Sequence, residues 1–598
     1  MRFVLYRILG NDLPPRHGTG QTAANLEFIL EHEPPLDGCE RRWVVNRIAD
    51  SLAETRILGL LQDRGQRYLR IPFVESEYLA CRFDFAGLAP EFYFHRSGFR
   101  AREGRERDKM TDWCYRHKNL YLMNLNAARN AALREGQALA DWVMPFDGAC
   151  FFTASGWAAV LEAAARAETE RYLLVPLARM LDNDRLLDPA FRPESLDEPQ
   201  IAFRSGAVEM FDERLRYGSM PKTALLHRLG VPGPWRRMWV LPWEKIDLTP
   251  SPDAGRTVHA GWVARLPSGN PQADGDRRTR NVQRWASAVQ LCLAVEGEIL
   301  RKRLTPDRLC FFDETMLEAE RRAWRDGEPA LVELVANLRL HAERALQAQP
   351  LLENVTALAL CWYFTQEERF ARNAAGLLQT WFLAPETGMP ALVETRDLAH
   401  TLDAVRLVSR SGAFSPKENA ALRAWFRTFF DWLGSSEQSQ RACASAGPDG
   451  TRYELQFAAL SLFLGELAPL CYRLDVSRMR IADIRPEGPL QLQLLNLQLW
   501  ANLARLARAA GVDLWDARTG HGLSQALAVL VNRVNGDEAA ETADEAIRLR
   551  VAVLCASGPK WALDSPAPHK YRLPASLPPE AGVAPFWQFG LAPAKAIA

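Results

Sequence analysis

Apolar positions fall into two textures along the 598-residue chain. Up to about Trp285, short runs of β character ("RFVLYRIL", "RRWVVNRI", "QRYLRIPF", "DWVMPF", "RYLLVPLA", "MWVLPWEKI") are separated by helically spaced stretches such as "GQTAANLEFILEHE", "DSLAETRILGLLQDRG" and "LNAARNAALREGQALA". Strand alternating with helix predicts an α/β domain with a mostly parallel sheet, whose binding sites lie at the carboxyl ends of the strands. From about Asn281 the pattern turns helical throughout: "NVQRWASAVQLCLAVEGEILRKRL", "EPALVELVANLRLHAERALQAQPLL", "KENAALRAWFRTFFDWLGSS" and "LQLLNLQLWANLARLARAAG" each carry a helical apolar stripe. An all-α domain of paired helices is expected there, with no fixed-period repeat. The loop-like "SGNPQADGDRRTRN" sets the boundary, giving an α/β domain over 1–285 and a helical domain over 286–598. The Arg-rich "RAREGRERDK", Arg100 to Lys109, reads as a solvated loop.

Charge narrows the partners. Lys+Arg and Asp+Glu both count 73, so the balance gives no reason to expect nucleic acid or an acidic membrane surface. The ten cysteines are scattered with no CxxC pair, which favours free thiols in a reducing compartment. No apolar run reaches transmembrane length: "FAALSLFLGELAPLCY" is broken by Glu466 and Pro469, and the apolar start before Asn11 is too short for a signal peptide. A cytoplasmic protein is expected, with a peripheral membrane location or an assembly partner left open.

Candidate chemistry in the first half gathers at predicted strand ends. The run "DWVMPFDGAC" closes in Asp147, either a ligand or the polar cap of a buried strand. The loop "YRILGNDLPPRHGTGQT" concentrates Asn11, Asp12, Arg16, His17, Gly18 and Gly20, and suits a base or phosphate as well as it suits plain surface. "WVVNRIAD" ends a strand in Asn46 and Arg47, whose guanidinium can meet a phosphate or carboxylate, or a surface acid. The segment "NLNAARNAALREGQALADWVMPFDGAC", with Arg129 and Asn130 opening a helix before the strand that ends in Asp147, resembles the nucleotide-diphospho-sugar glycosyltransferases of the GT-A fold. That resemblance implies a divalent metal (Mn or Mg) on Asp147, a nucleotide-sugar donor held by Asn11, Asp12, Asn46, Arg47, Arg129 and Asn130, and a glycan acceptor. The resemblance also offers His259 as the late histidine that some members use as a further metal ligand, beside the plainer reading of a hydrogen-bonded structural histidine. The slots for a second acid hold Gly148 and Ala149, and Lys222 stands where the general base is sought. The base is therefore unassigned among Asp182, Asp184, Glu209 and Asp212.

In the second half, "GTRYELQFAALSLFLGE" and "IRPEGPLQLQLLNLQLWANLARLARAAGVDLW" resemble the alginate lyase family, which implies an incomplete α/α toroid. The chemistry does not transfer by position. The slots of the family's Asn-Asn-His run hold Gly447, Pro448 and Asp449, and those of its Arg-Thr pair and Tyr fall among Leu494, Leu495, Leu499 and Trp500. Arg452, Tyr453 and His521 remain as sugar contacts or plain packing. Trp362, Trp381, Trp425, Trp432, Trp500 and Trp515 read mainly as core. The expected function is sugar transfer from a nucleotide-sugar, with the helical domain as a glycan or partner holder; the alternatives are an alginate-type lyase acting by β-elimination and a non-catalytic glycan-binding scaffold.

Overall fold

The computed structural model describes residues 1–194, 196–233, 241–305, 307–347, 352, 354–384, 398–484, 488–515, 523–535 and 589. The chain divides into two units: Met1–Leu88 with Arg102–Val295, and Ala89–Ala101 with Glu296–Ala598.

The first unit is built on one sheet of β1 (Phe3–Leu9), β2 (Cys39–Asn46), β3 (Arg67–Ile71), β4 (Trp142–Asp147), β5 (Cys150–Phe151), β6 (Tyr172–Arg179), β7 (Asp197–Arg204), β8 (Thr257–His259) and β9 (Val263–Arg265). Its order is β3-β2-β1-β4-β7-β6-β9-β5, with β8 also paired to β6. The pairs β1–β2, β2–β3 and β1–β4 are parallel, whereas β7 runs antiparallel to both β4 and β6. Every residue of β1 is buried. Helices cover both faces of such a sheet, so its central strands read as unbroken apolar runs. The pleat sends alternate residues to opposite cores: Phe3 and Leu5 join Trp142, Met144 and Phe146, while Val4, Tyr6 and Ile8 join Val143, Ala128 and Leu133.

Arg7 is the exception in that strand. Fully buried, it pairs with the equally buried Glu33, donates from Nε to the carbonyl of Cys150 at 2.7 Å, and lies 5.3 Å from the Trp43 ring centroid. Glu33 also accepts from the Phe152 amide at 2.8 Å, so one ion pair ties β1 to the residues around β5.

Three sequence expectations change. "RAREGRERDK" is partly helical, because the helix Gly104–Cys114 begins inside it and buries Met110, Asp112 and Cys114. "SGNPQADGDRRTRN" folds into the helices Pro271–Gly275 and Arg277–Arg303; Asn270 caps the first by accepting from Ala273 N at 3.2 Å, and Pro271 suits the opening turn. "MWVLPWEKI" starts in residues 238–240, which lie outside the described ones, and its remainder, 241–246, forms no strand.

In the second unit the described elements after 296 are helical. Its core is continuous from Leu300 to Leu530 and draws on helices such as Asn354–Thr365, which is buried nearly all round, and Pro448–Leu464. The glycine of "GTRYELQ" is required sterically. A Cβ on Gly450 would sit 2.0 Å from the carbonyl oxygen of Ser445 and against the guanidinium of Arg480, which donates to the Cys443 carbonyl at 2.9 Å. Glu454, one helical turn on and fully buried, takes Arg473 at 3.4 Å and Ser477 at 3.1 Å. No helix among the described residues is long and apolar enough to cross a membrane.

Candidate functional site

A cleft of about 230 Å³ opens in the first unit beside the carboxyl ends of β1, β2 and β4, bringing Asn11, Asp12, Asn46, Arg129 and Asp147 together. Asp147 leaves the last position of β4, in register with Ile8 of β1. Both its carboxylate oxygens are engaged: Arg129 donates to Oδ1 at 2.8 Å, and Arg265 and Gln200 donate to Oδ2 at 3.0 and 3.2 Å. Burial alone would raise its pKa, but Lys222, Arg129 and Arg265 outweigh it and hold the carboxyl well below the usual carboxylate range.

Arg129 reaches this position because the helix Leu125–Gly136, capped by Asn124, presents it inward, 2 % exposed, with Nη1 on Asn126 at 2.9 Å. Asn46 ends β2 with both ends of its buried amide unpartnered. Such a group at a cavity wall is built for a ligand or a water. His17 lines the same wall; burial, with Arg16 and Arg265 nearby, lowers its pKa to about 3, so the ring is neutral.

Other expected site residues hold the scaffold. Asn11 is spent on backbone, donating to the Arg47 carbonyl at 2.8 Å and accepting from Ala49 N at 2.8 Å. Asp12 accepts from Gly20 N at 2.7 Å and from Thr22 N and Oγ1, fixing the start of the helix Gln21–His32. Arg47 sits at φ 45°, packs 4.9 Å from the Tyr121 ring centroid and is absent from the cleft lining. Asn130 also lies outside it: its amide bonds both ways with the Phe211 backbone, at 2.8 and 3.0 Å, and donates to Glu213. His259 is exposed on β8, outside the lining. Among the base candidates, Glu209 pairs with Arg228 at 2.9 Å and Asp212 with Arg214 at 2.8 Å, and neither they nor Asp182 and Asp184 line the cleft.

A divalent cation fits this donor set poorly. Asp147 is taken by two guanidinium groups, Asp12 by three donors, and Glu198, the remaining carboxylate of the lining, by Lys222 at 3.0 Å. Among the described residues no group of three or more His, Cys, Asp and Glu could hold a metal ion. The cleft residues that sequence reasoning passed over are Arg179, Glu198, Gln200, Arg265 and Arg284, which carry no local motif.

The second unit has a cavity of about 440 Å³. Its walls include Gly447 and Pro448, two slots of the expected Asn-Asn-His run, together with Arg480, Asn496 and Trp500. An imidazole reaches it from elsewhere in the chain. His95, 4 % exposed, places Nε2 at 2.9 Å from Asp483 Oδ2, and Arg96 donates to the same oxygen at 2.6 Å. The segment is firmly seated: Phe94 stacks on Phe99 at 4.5 Å, and Arg100 donates to the Gln440 carbonyl at 2.9 Å. Burial and then Arg480 lower the His95 pKa to about 4, against the pull of Asp483, and Nδ1 is without a partner. Tyr453, expected near a rim, is 1 % exposed and packs against Arg473, while Arg452 pairs with Asp449 at 2.9 Å. Leu494 and Leu499 are buried packing. Trp425 and Trp432 stack on Phe429, Trp362, Trp500 and Trp515 are buried, and Trp381 is 36 % exposed. His521 lies outside the described residues.

Residues 335–540 match the alginate lyase family model. Among solved structures, an alginate lyase from Bacteroides ovatus is similar over 42 % of this chain and 90 % of its own, at 17 % identity and a TM-score of 0.38. No curated protein matches the chain.

Proposed function

We propose that the protein acts on an acidic polysaccharide, with the helical unit as an alginate-type lyase. The family match over residues 335–540 supports this reading. The observation that carries it is His95 at the wall formed by Gly447 and Pro448, slots that hold no histidine themselves. With Asp483 accepting from Nε2–H, the lone pair sits on Nδ1, which is buried, so the ring has to shift to present it to a sugar. It would take the C5 proton of a uronate; the C–H electrons form the C4–C5 double bond, the C4–O bond breaks, and the leaving oxygen is protonated by water. Arg96 and Arg480 supply positive charge for the carboxylate that acidifies C5. Ultraviolet absorbance on uronate polymers tests it, with His95→Gln expected to lower the rate roughly hundredfold or more. Binding without any absorbance change would reduce the unit to a glycan holder.

A second reading concerns the first unit: a GT-A-type domain that binds a nucleotide-sugar. It is supported by a cleft at the carboxyl ends of β1, β2 and β4 lined with cations and an unpartnered Asn46. Calorimetry with nucleotide-sugars tests it; no heat from any nucleotide would sink it.

A further inference from the structure

The cleft of the first unit is crowded with positive charge. Arg16, Arg129, Arg179, Lys222, Arg265 and Arg284 line it against three carboxylates, Asp12, Asp147 and Glu198, and His17 is neutral. Arg16 shows the consequence. Its guanidinium is 6 % exposed with Nη1 unpartnered, and the charges that act on it most, Arg284, Arg265, Arg179 and Arg280, are all cations. Burial and these neighbours lower its pKa, and burial and Arg265 lower that of Arg179 to about 10. Like charges held this close in a pocket are relieved by a bound anion.

The place where a metal would carry that anion is closed. The oxygens of Asp147 face Arg129 and Arg265. The next position cannot bear a second acid, because a Cβ on Gly148 would lie 2.5 Å from the carbonyl oxygen of Ile8, a backbone atom of β1.

We propose that this cleft binds the diphosphate of its ligand without a metal ion, on the guanidinium and ammonium groups of Arg16, Arg265 and Lys222, with Asp147 orienting Arg129 and Arg265 as their counter-charge. Guanidinium forks match phosphate oxygens in geometry, and a lysine adds a point charge, so the set does what a bound dication does for a diphosphate: it neutralises and positions it. The inference rests on the nucleotide-binding reading of the first unit.

The test is calorimetry on the full chain with uridine, guanosine and adenosine diphosphates and with pyrophosphate, in EDTA and then with manganese or magnesium. The expected result is binding in EDTA that changes little on adding metal, weakens with salt, and falls roughly tenfold or more in Arg16→Ala. The Arg16→Lys variant, with the charge kept and the fork lost, should recover part of it. Binding only in the presence of metal overturns the inference and leaves the nucleotide reading standing. Pyrophosphate binding as tightly as every nucleotide overturns the nucleotide reading and leaves the metal-free clamp. No binding under any condition overturns both.

Discussion

Asp147→Asn separates a counter-charge from a metal ligand by the sign of its effect on stability. The side chain keeps its shape, but the carboxylate that receives Arg129 at 2.8 Å and Arg265 at 3.0 Å becomes neutral and turns an N–H toward a guanidinium. Arg129 is 3 % exposed at its side chain, so it loses its counter-charge without gaining water. Removing one partner of a buried pair costs about 3–5 kcal/mol; because Asp147 is 18 % exposed beside an open cleft, about 2–3 kcal/mol is the expected loss. Urea denaturation in metal-free buffer near neutral pH, following the transition of the first unit, measures it. The sign with pH follows from the depressed folded-state pKa. The stabilisation is present above the ordinary carboxylate value and is lost only as pH falls through the lower folded value, so the gap between wild type and variant should persist down to about pH 5. A carboxylate kept for a metal ion behaves oppositely: without metal, its loss leaves stability unchanged or higher. A variant within about 0.5 kcal/mol of wild type, or more stable, refutes the counter-charge role.

Other perturbations follow from the same geometry. The folded-state pKa of His95, about 4 against 6.5 for the free side chain, means that the unfolded chain binds the extra proton first. Stability of the helical unit should therefore fall by up to about 3 kcal/mol between pH 6.5 and 4, and His95→Gln should flatten that slope in urea titrations. Glu33→Ala strands the fully buried Arg7 and should cost about 3–5 kcal/mol in denaturant melts of the first unit, whereas joint replacement of Arg7 and Glu33 by apolar residues should recover much of it. Gly450→Ala drives a methyl group onto the Ser445 carbonyl and Arg480, with an expected loss of about 1–3 kcal/mol or more; a melt unchanged from wild type would mean that the helix start has room to shift.

What could be read in the sequence and what could not divide along the range of the interactions. The β1 run "FVLYRIL" and the helical stripes after 281 announce themselves because burial imposes its period on neighbouring residues. Asp147 was visible in the same way, as the single polar end of an apolar run, whereas Gly450 was placed at a helix start only through the resemblance to the lyase family. Their partners were not. Arg265 lies 118 residues beyond Asp147 and reaches it only because β9 joins the sheet beside β6, a pairing that no local pattern specifies. The same limit explains why Lys222 read only as a slot without its acid: its partners are Glu198 and Asp147 across the cleft. His95 is the extreme case, bonded to an aspartate 388 residues away, from a segment that carries no motif of its own. Counting acids and histidines against motif slots therefore found a first unit missing its metal ligand and a helical unit missing its base. Pairing through space bears on both, because Asp147 is ion-paired with two arginines and His95 lines the same cavity as Gly447 and Pro448. Where charges are brought together by sheet order and by a segment distant in sequence, the informative variants are those that remove one charge and leave its partner in place.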